Sequence, residues 1–255
     1  MKYAIFGNAT YNQEIHNKLQ AINFVPEQEN PDIVISVGGD GTMLRAVQHY
    51  INQINKVYFV GIKTGRLGFY TDFLPTQLDE LVEVLQKKTF EVCAFNLLEY
   101  KLVGKEHSKT SYALNDLAIT NPVNTQIIEV LIDGLHFETF RGTGFLLSTP
   151  SGSTAYSKSL GGSLIHPKVK AFQLTEMASI NNRIYKTISS PLVLHQEQTI
   201  VLKSSNYENV VLISDGIYES FKDFDQIEAT LSDKTVSFVT KLKDDFWSRV
   251  QRAFI

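Results

Sequence analysis

Apolar positions in the first third of the chain change period repeatedly. Tyr3-Ala4-Ile5-Phe6 is a short continuous run that predicts a buried strand. Over Asn12 to Ile22, Ile15, Leu19 and Ile22 fall on one face at helical spacing. Pro31 stops any helix before Ile33-Val34-Ile35-Ser36-Val37, a second strand rich in β-branched residues. Leu44, Val47 and Ile51 then recur at helical spacing, with the helix predicted over Met43 to His49. Val57 to Ile62 is a third strand. Leu78, Leu81, Val82 and Leu85 make an i, i+3, i+4, i+7 stripe, which predicts an amphipathic helix. Strands alternating with helices predict an α/β layer on a mostly parallel sheet. Ligands of such sheets sit beyond the carboxyl ends of the strands.

The texture changes after about Phe90. Ile127 to Ile132, Asp133-Gly134 and Leu135 to Phe140 read as a hairpin, because Asp-Gly suits a type I′ turn. Pro191 to Leu194, Thr199 to Leu202, Val210 to Ile213 and Thr235 to Leu242 continue the series of short strands. The pattern predicts an antiparallel sandwich or a pair of packed sheets. The expected division is an α/β domain over 1–95 and an all-β domain over 96–242. In the tail, Asp244 to Phe254, the residues Phe246, Trp247, Val250 and Phe254 share one helical face. That helix is expected to pack back on a domain.

Composition narrows the chemistry. The 255 residues carry a formal net charge of -3, with lysines and arginines scattered, so a nucleic-acid partner is not expected. Cys93 is the one cysteine, which excludes an internal disulfide and a thiolate zinc site. The six histidines are far apart and form no H-x-x-x-H pair, so no protein-built metal site is expected. No apolar run is long enough to span a bilayer and no signal peptide is evident, so the expected compartment is the cytosol.

Gly38-Gly39-Asp40-Gly41-Thr42 lies between a strand and a helix, where backbone approaches phosphate closely. Asp40 is out of character there, because a carboxylate repels phosphate. It suits a group that handles a hydroxyl proton or a magnesium ion; otherwise it caps the helix. Gly61 to Gly68 is a second glycine-bearing turn after a strand, with Arg66 read as a solvated side chain. Ser148 to Gly162 is dense in hydroxyls and glycine, but has neither Walker nor nucleophile-elbow spacing. It suits a ligand with several hydroxyls or phosphates, or is a surface loop. Asn115-Asp116 between apolar neighbours suits a ribose diol, or an Asx turn. Arg141 suits a phosphate or a carboxylate.

Together these segments resemble the NAD kinase family. Gly38 to Thr42 matches its first motif, which lipid kinases and phosphofructokinase-like enzymes share. Gly61 to Phe69 resembles its G-I-N-x-G-x-L-G-F turn. Leu114-Asn115-Asp116 matches its asparagine-acid motif. Thr149 to Gly162 and Leu174 to Ala178 resemble its more specific later segments.

The resemblance implies an N-terminal α/β domain, an all-β C-terminal domain and a tail (about 243–255) returning to the first. It also implies a site between the domains, and assembly as a homodimer or homotetramer in which a neighbouring subunit completes the dinucleotide site. The reaction implied is phosphorylation of NAD by ATP, or by polyphosphate, with Mg²⁺ as cofactor. Asp40 would accept the proton of the adenosine-ribose 2′-hydroxyl. Gly38, Gly39, Gly41, Thr42 and Lys63 would face the phosphates. Asn115 and Thr154 would orient adenosine, Asp116 would bind the other ribose diol, and Phe69 would pack near adenine. Arg141, Thr143, Ala155, Tyr156, Ser157, Lys158, Ser159 and Ala178 would line the dinucleotide pocket.

Two positions depart from the family pattern. Lys63 stands where Asn is common, and either binds phosphate or points to solvent. Thr143 stands where many members have Asp. Ser214 to Ile217 only partly resembles the late D-G-Q motif, and no catalytic role is carried onto it. The rival readings are a lipid or sugar-alcohol kinase, and a dinucleotide-binding regulator without turnover.

Overall fold

The computed structural model describes residues 1–65, 68–204, 208–219, 224–241 and 246–255. Arg66 and Leu67 of the second glycine turn, Leu242, Asp244 and Asp245 lie outside the described residues. The chain divides into two compact units, Met1–Phe95 with Lys234–Ile255, and Asn96–Asp233.

In the first unit, β1 (Lys2–Gly7) leads to α1 (Asn12–Ala21), β2 (Val25–Pro26), β3 (Ile33–Val37), α2 (Asp40–His49), β4 (Tyr58–Ile62) and α3 (Leu78–Lys87). The strands lie in the order β2-β1-β3-β4 and all pair in parallel. Every residue of β3 is buried. This explains its unbroken apolar run, since a parallel strand is covered on both faces. Ile15 and Leu19 of α1, and Leu78, Leu81 and Leu85 of α3, close one core with Tyr3, Ile33, Ile35, Val37 and Val60. Each such side chain contributes about 1.5–3 kcal/mol on burial, more than the few tenths that separate ordinary helix propensities. The apolar stripe, not propensity, therefore fixes where α3 lies.

The second unit holds β5 (Glu91–Val103, begun in the first unit), β6 (Ser108–Ala113), β7 (Asp116–Thr120), β8 (Gln126–Ile132), β9 (Leu135–Gly142), β10 (Gly144–Ser148), α4 (Tyr156–Ser159), β11 (Ala171–Met177), β12 (Leu192–His195), β13 (Ile200–Lys203), β14 (Val211–Ser214), β15 (Ile217–Glu219) and most of β16 (Gln226–Thr240). One antiparallel sheet runs β9-β8-β13-β16, and the other runs β12-β11-β10-β7-β14-β15. Leu117, Ile119, Phe145 and Phe172 of one sheet and Ile128, Val130, Phe140 and Ile200 of the other fill a common core. The packed pair of sheets expected from the alternation is present. The hairpin turn is Asp133-Gly134 with φ of 51° and 79°, as a type I′ turn requires. A second such turn, Asp215-Gly216 with φ of 50° and 78°, joins β14 to β15.

The end of β16 returns to the first unit, where Ser237 and Phe238 pair in parallel with Tyr58 and Phe59 of β4. A short helix, α5 (Phe246–Phe254), follows in the same unit.

Three elements differ from expectation. The last strand begins at Gln226, not Thr235, because Ser232, Asp233 and Lys234 break the apolar pattern in the middle of one continuous strand. The helix predicted over Met43 to His49 begins at Asp40, with Gly39 as its N-cap, so Asp40 is not the cap residue. In α5, Phe246 and Val250 are buried, but Trp247 is 56% exposed. Among the described residues, no helix is long and apolar enough to cross a membrane.

Candidate active site

The chain leaves β3 through Gly38 and Gly39 and enters α2 at Asp40, beyond the carboxyl end of a central parallel strand. The Asp40 carboxylate takes up two backbone amides. Phe69 N–H donates to Oδ2 at 3.0 Å and Tyr70 N–H donates to Oδ1 at 3.1 Å. A carboxylate has about four acceptor sites, so both oxygens keep capacity for another donor. Gly68 makes the approach possible, because a β-carbon there would overlap the carboxylate. Lys63 is half-buried, and its Nζ stands 3.1 Å from where a β-carbon on Gly39 would be. Its side chain therefore lies along the glycine turn. Thr42 Oγ1 accepts from Arg45 within α2 at 3.4 Å.

Phe69 has one side committed to the protein. Its ring centroid lies 6.4 Å from that of Phe246 and 6.0 Å from that of Phe254, both on α5. Arg249 of α5 donates to the Phe69 carbonyl at 2.8 Å and pairs with Asp72.

The second unit has its own group of polar residues. Leu114-Asn115-Asp116 forms a bend into β7, and Asp215 holds it. Leu114 N–H and Asn115 N–H each donate to the Asp215 carboxylate at 2.7 Å, and Asp116 N–H does so at 3.3 Å. From the other side, Thr149 Oγ1 donates to the Leu114 carbonyl at 2.6 Å and Thr149 N–H to the Asn115 carbonyl at 2.9 Å. Gly152 packs on that carbonyl so closely that a β-carbon would overlap it. The hydroxyl-rich segment is thus bound to the Asn-Asp bend.

The members of that segment point in different directions. Thr154 is buried and donates to the Ser151 carbonyl at 3.2 Å. Ser157 turns inward, where Gln173 Nε2 donates to its hydroxyl at 2.7 Å. Ala155 is half-buried, while Tyr156, Lys158 and Ser159 are exposed.

Arg141, Thr143 and Ala178 gather at the neighbouring ends of β9, β10 and β11. The Arg141 guanidinium lies 4.0 Å over the Tyr185 ring. Thr143 is tied by its backbone, donating to the Met177 carbonyl at 3.0 Å and accepting from Asn121 N–H at 2.9 Å. Ala178 holds a φ of 46°, a left-handed conformation that is uncommon outside glycine and tends to mark functional sites.

Asp116 is the electrostatically unusual member of the set. Burial pushes its carboxyl up to about 7, and the adjacent Asp215 charge adds to the rise. Sequence reasoning assigns no role to Asp215, Gly68, Gly152 or Arg249. An Asp-Gly turn is readable at 215–216, but its clasp on residues 114–116 spans about a hundred positions.

The ATP-NAD kinase N-terminal domain model matches residues 9–90, and the ATP-NAD kinase C-terminal domain model matches residues 114–241. The chain belongs to the NAD kinase family. It is accordingly an enzyme, a phosphotransferase. The chain is similar to NAD kinase 1 of Bacillus anthracis, with 44% identity over 91% of this chain and 88% of that protein. It is also similar to the NAD kinase of Staphylococcus aureus (strain Newman), with 40% identity over 100% and 98%. Its fold is similar to that of yeast NADH kinase complexed with NADH, with a TM-score of 0.85, 21% identity, and 100% and 88% covered. An NAD kinase from Archaeoglobus fulgidus in complex with ATP is likewise similar, with a TM-score of 0.78, 25% identity, and 100% and 97% covered.

Two expectations follow from this geometry. Gly68→Ala forces the Asp40 carboxylate aside; with Asp40 in the role the resemblance implies, a displacement of about 1 Å costs on the order of 100-fold in rate. Steady-state kinetics are expected to give that loss in kcat, with circular dichroism unchanged. The second concerns pH. An unfolded Asp116 releases its proton near its ordinary 3.8, the folded one near 7. Between these values the folded chain binds more protons, so this group's contribution to stability falls as pH rises. Asp116→Asn is therefore expected to melt like the wild type near pH 4 and above it at pH 8. Equal melting temperatures at pH 8 would contradict the raised value.

Proposed function

We propose that this NAD kinase transfers the terminal phosphoryl group of ATP to the 2′-hydroxyl of the adenosine ribose of NAD, giving NADP. The observation that carries the reading is the Asp40 carboxylate, oriented by two amides in the first turn of α2 at the end of β3. In the reaction the ribose oxygen bonds to the terminal phosphorus. The bond from that phosphorus to the bridging oxygen breaks, and the hydroxyl proton passes to Asp40. A carboxylate is far too weak a base to strip an alcohol in advance. A loose transition state makes that unnecessary, because little bonding to the nucleophile forms early. Asp40 orients the hydroxyl and takes its proton late.

The remaining roles belong to the same proposal. The turn from Gly38 to Thr42 and the Lys63 ammonium receive the phosphates. Inorganic polyphosphate is the second donor to try, because Lys63 adds a cation to that turn. Asn115 and Thr154 orient adenosine, and Asp116 accepts from the other ribose diol. The exposed side of Phe69 meets adenine. Arg141, Thr143, Ala155, Tyr156, Lys158, Ser159 and Ala178 line the dinucleotide pocket, with Ser157 supporting them from within.

Mg²⁺ is proposed as the cofactor. Among the described residues, no three His, Cys, Asp or Glu side chains stand together as a ligand set. That fits a magnesium ion that arrives on the triphosphate and keeps its waters, as this ion commonly does. When bound, it neutralises phosphate charge.

A homodimer or homotetramer is proposed as well. Ile127, Leu135 and Phe137 of the β8–β9 hairpin are exposed apolar side chains at a sheet edge, the kind of surface a second copy covers. The proposed compartment is the cytosol.

The test is NADP formation from NAD, ATP and Mg²⁺, read through an NADP-specific dehydrogenase. Asp40→Asn is expected to keep NAD affinity within a few-fold and to lose most of kcat. Loss of NAD binding in a folded Asp40→Asn protein would refute that division of roles. Asp116→Ala is expected to raise KM for NAD roughly tenfold or more, the scale of one lost hydrogen bond to a charged group. A collapsed kcat with unchanged KM would instead put Asp116 in the chemistry.

A further inference from the structure

We propose that Arg249, on the C-terminal helix, is a positioning residue for the Asp40 carboxylate. The inference rests on the reading of Asp40 as the base. The residues form a continuous chain of contacts within the first unit. Arg249 Nη1 donates to the Phe69 carbonyl at 2.8 Å, and its Nη2 pairs with Asp72. The amides of Phe69 and Tyr70 donate in turn to the two oxygens of Asp40. The segment from Gly68 to Asp72 is therefore held on both edges, by the carboxylate on one and the guanidinium on the other. Both members of the ion pair are nearly buried, with side chains 10% and 13% exposed. A planar fork suits this task, because one guanidinium reaches a carbonyl and a carboxylate at once. The rings of Phe246 and Phe254 sit against Phe69 and keep the helix in register with the segment.

The amide positions set where the Asp40 oxygens point. Releasing Arg249 frees the segment to shift, and a small shift of a proton acceptor lowers the rate without removing any group that touches NAD. Arg249 thus acts through residues 68–72. It is remote in sequence from every motif of the phosphate turn.

The experiment is a double-mutant cycle on the 255-residue chain, read by NADP formation. Arg249→Ala is expected to lower kcat about 10–100-fold, the range a misplaced reacting group costs. KM for NAD is expected to stay within about threefold, since Arg249 is assigned no contact with NAD. Millimolar guanidinium chloride, far below denaturing levels, is expected to restore part of that kcat. In the Asp40→Asn background the same substitution is expected to cost nothing further, and guanidinium to restore nothing. Arg249→Lys keeps the charge but not the fork, and is expected to fall between wild type and Ala. It also serves if Arg249→Ala does not fold. Arg249 variants with wild-type kcat beside an inactive Asp40→Asn would overturn this proposal and leave the base assignment standing. An equal loss in both backgrounds would also overturn it. Full activity in Asp40→Asn would overturn the base assignment itself.

Discussion

The Asp40 carboxylate, the proposed base, is held by backbone amides. Two amides fix both oxygens of Asp40, and nothing larger than glycine fits at position 68 beside them. A backbone clamp has little side-chain freedom of its own, because its two donors belong to consecutive residues of one segment. The one basic side chain proposed to help orient it, Arg249, touches the Phe69 carbonyl and Asp72 and not the carboxylate itself. The phosphate turn can then keep Lys63 along Gly39 without Asp40 being drawn into an ion pair with it.

The second unit uses the same device in reverse. Asp215 accepts three backbone amides and so shapes the bend that presents Asn115 and Asp116. The consequence falls on Asp116. A second carboxylate close to a clasped one, and itself buried, is driven toward its neutral form. A neutral carboxylic acid offers a proton, and an ionised one offers only lone pairs. Near neutral pH Asp116 stands between the two states. If the proposed ribose diol binds there, its donors favour the ionised form, and binding and deprotonation are linked at this residue.

Much of this was legible in the sequence, and the reason differs by element. The β3–α2 turn was readable because a buried parallel strand, a glycine run and an amphipathic stripe follow one another within about twenty residues. The Asp133-Gly134 hairpin was readable because one dipeptide decides its turn type. The specific run from Thr149 to Gly162 identified the family because so many small polar residues at fixed spacing are rarely coincident. What stayed hidden was long-range. Nothing local marks Asp215 as a backbone clasp, or Arg249 as a neighbour of Phe69. Both depend on which strands pair and where a helix docks. The length of β16 stayed hidden for another reason, since its polar centre looks like a loop until both ends are seen to be paired. The side-chain direction of Ser157 was equally unreadable, because its inward turn depends on Gln173 from β11.

The return of β16 and α5 to the first unit has a consequence in time. The second unit is continuous from Asn96 to Asp233, whereas the first is interrupted and is completed by Lys234–Ile255. On a ribosome, chain emerges from the amino end, and domains generally fold as units. The β-rich unit has all its residues before the α/β unit has its last strand and helix. The glycine turn of Gly38 to Thr42 is synthesised about two hundred residues before Arg249. A nascent or truncated chain that stops short of α5 carries the motifs that mark the family while lacking the guanidinium that contacts Phe69 and Asp72.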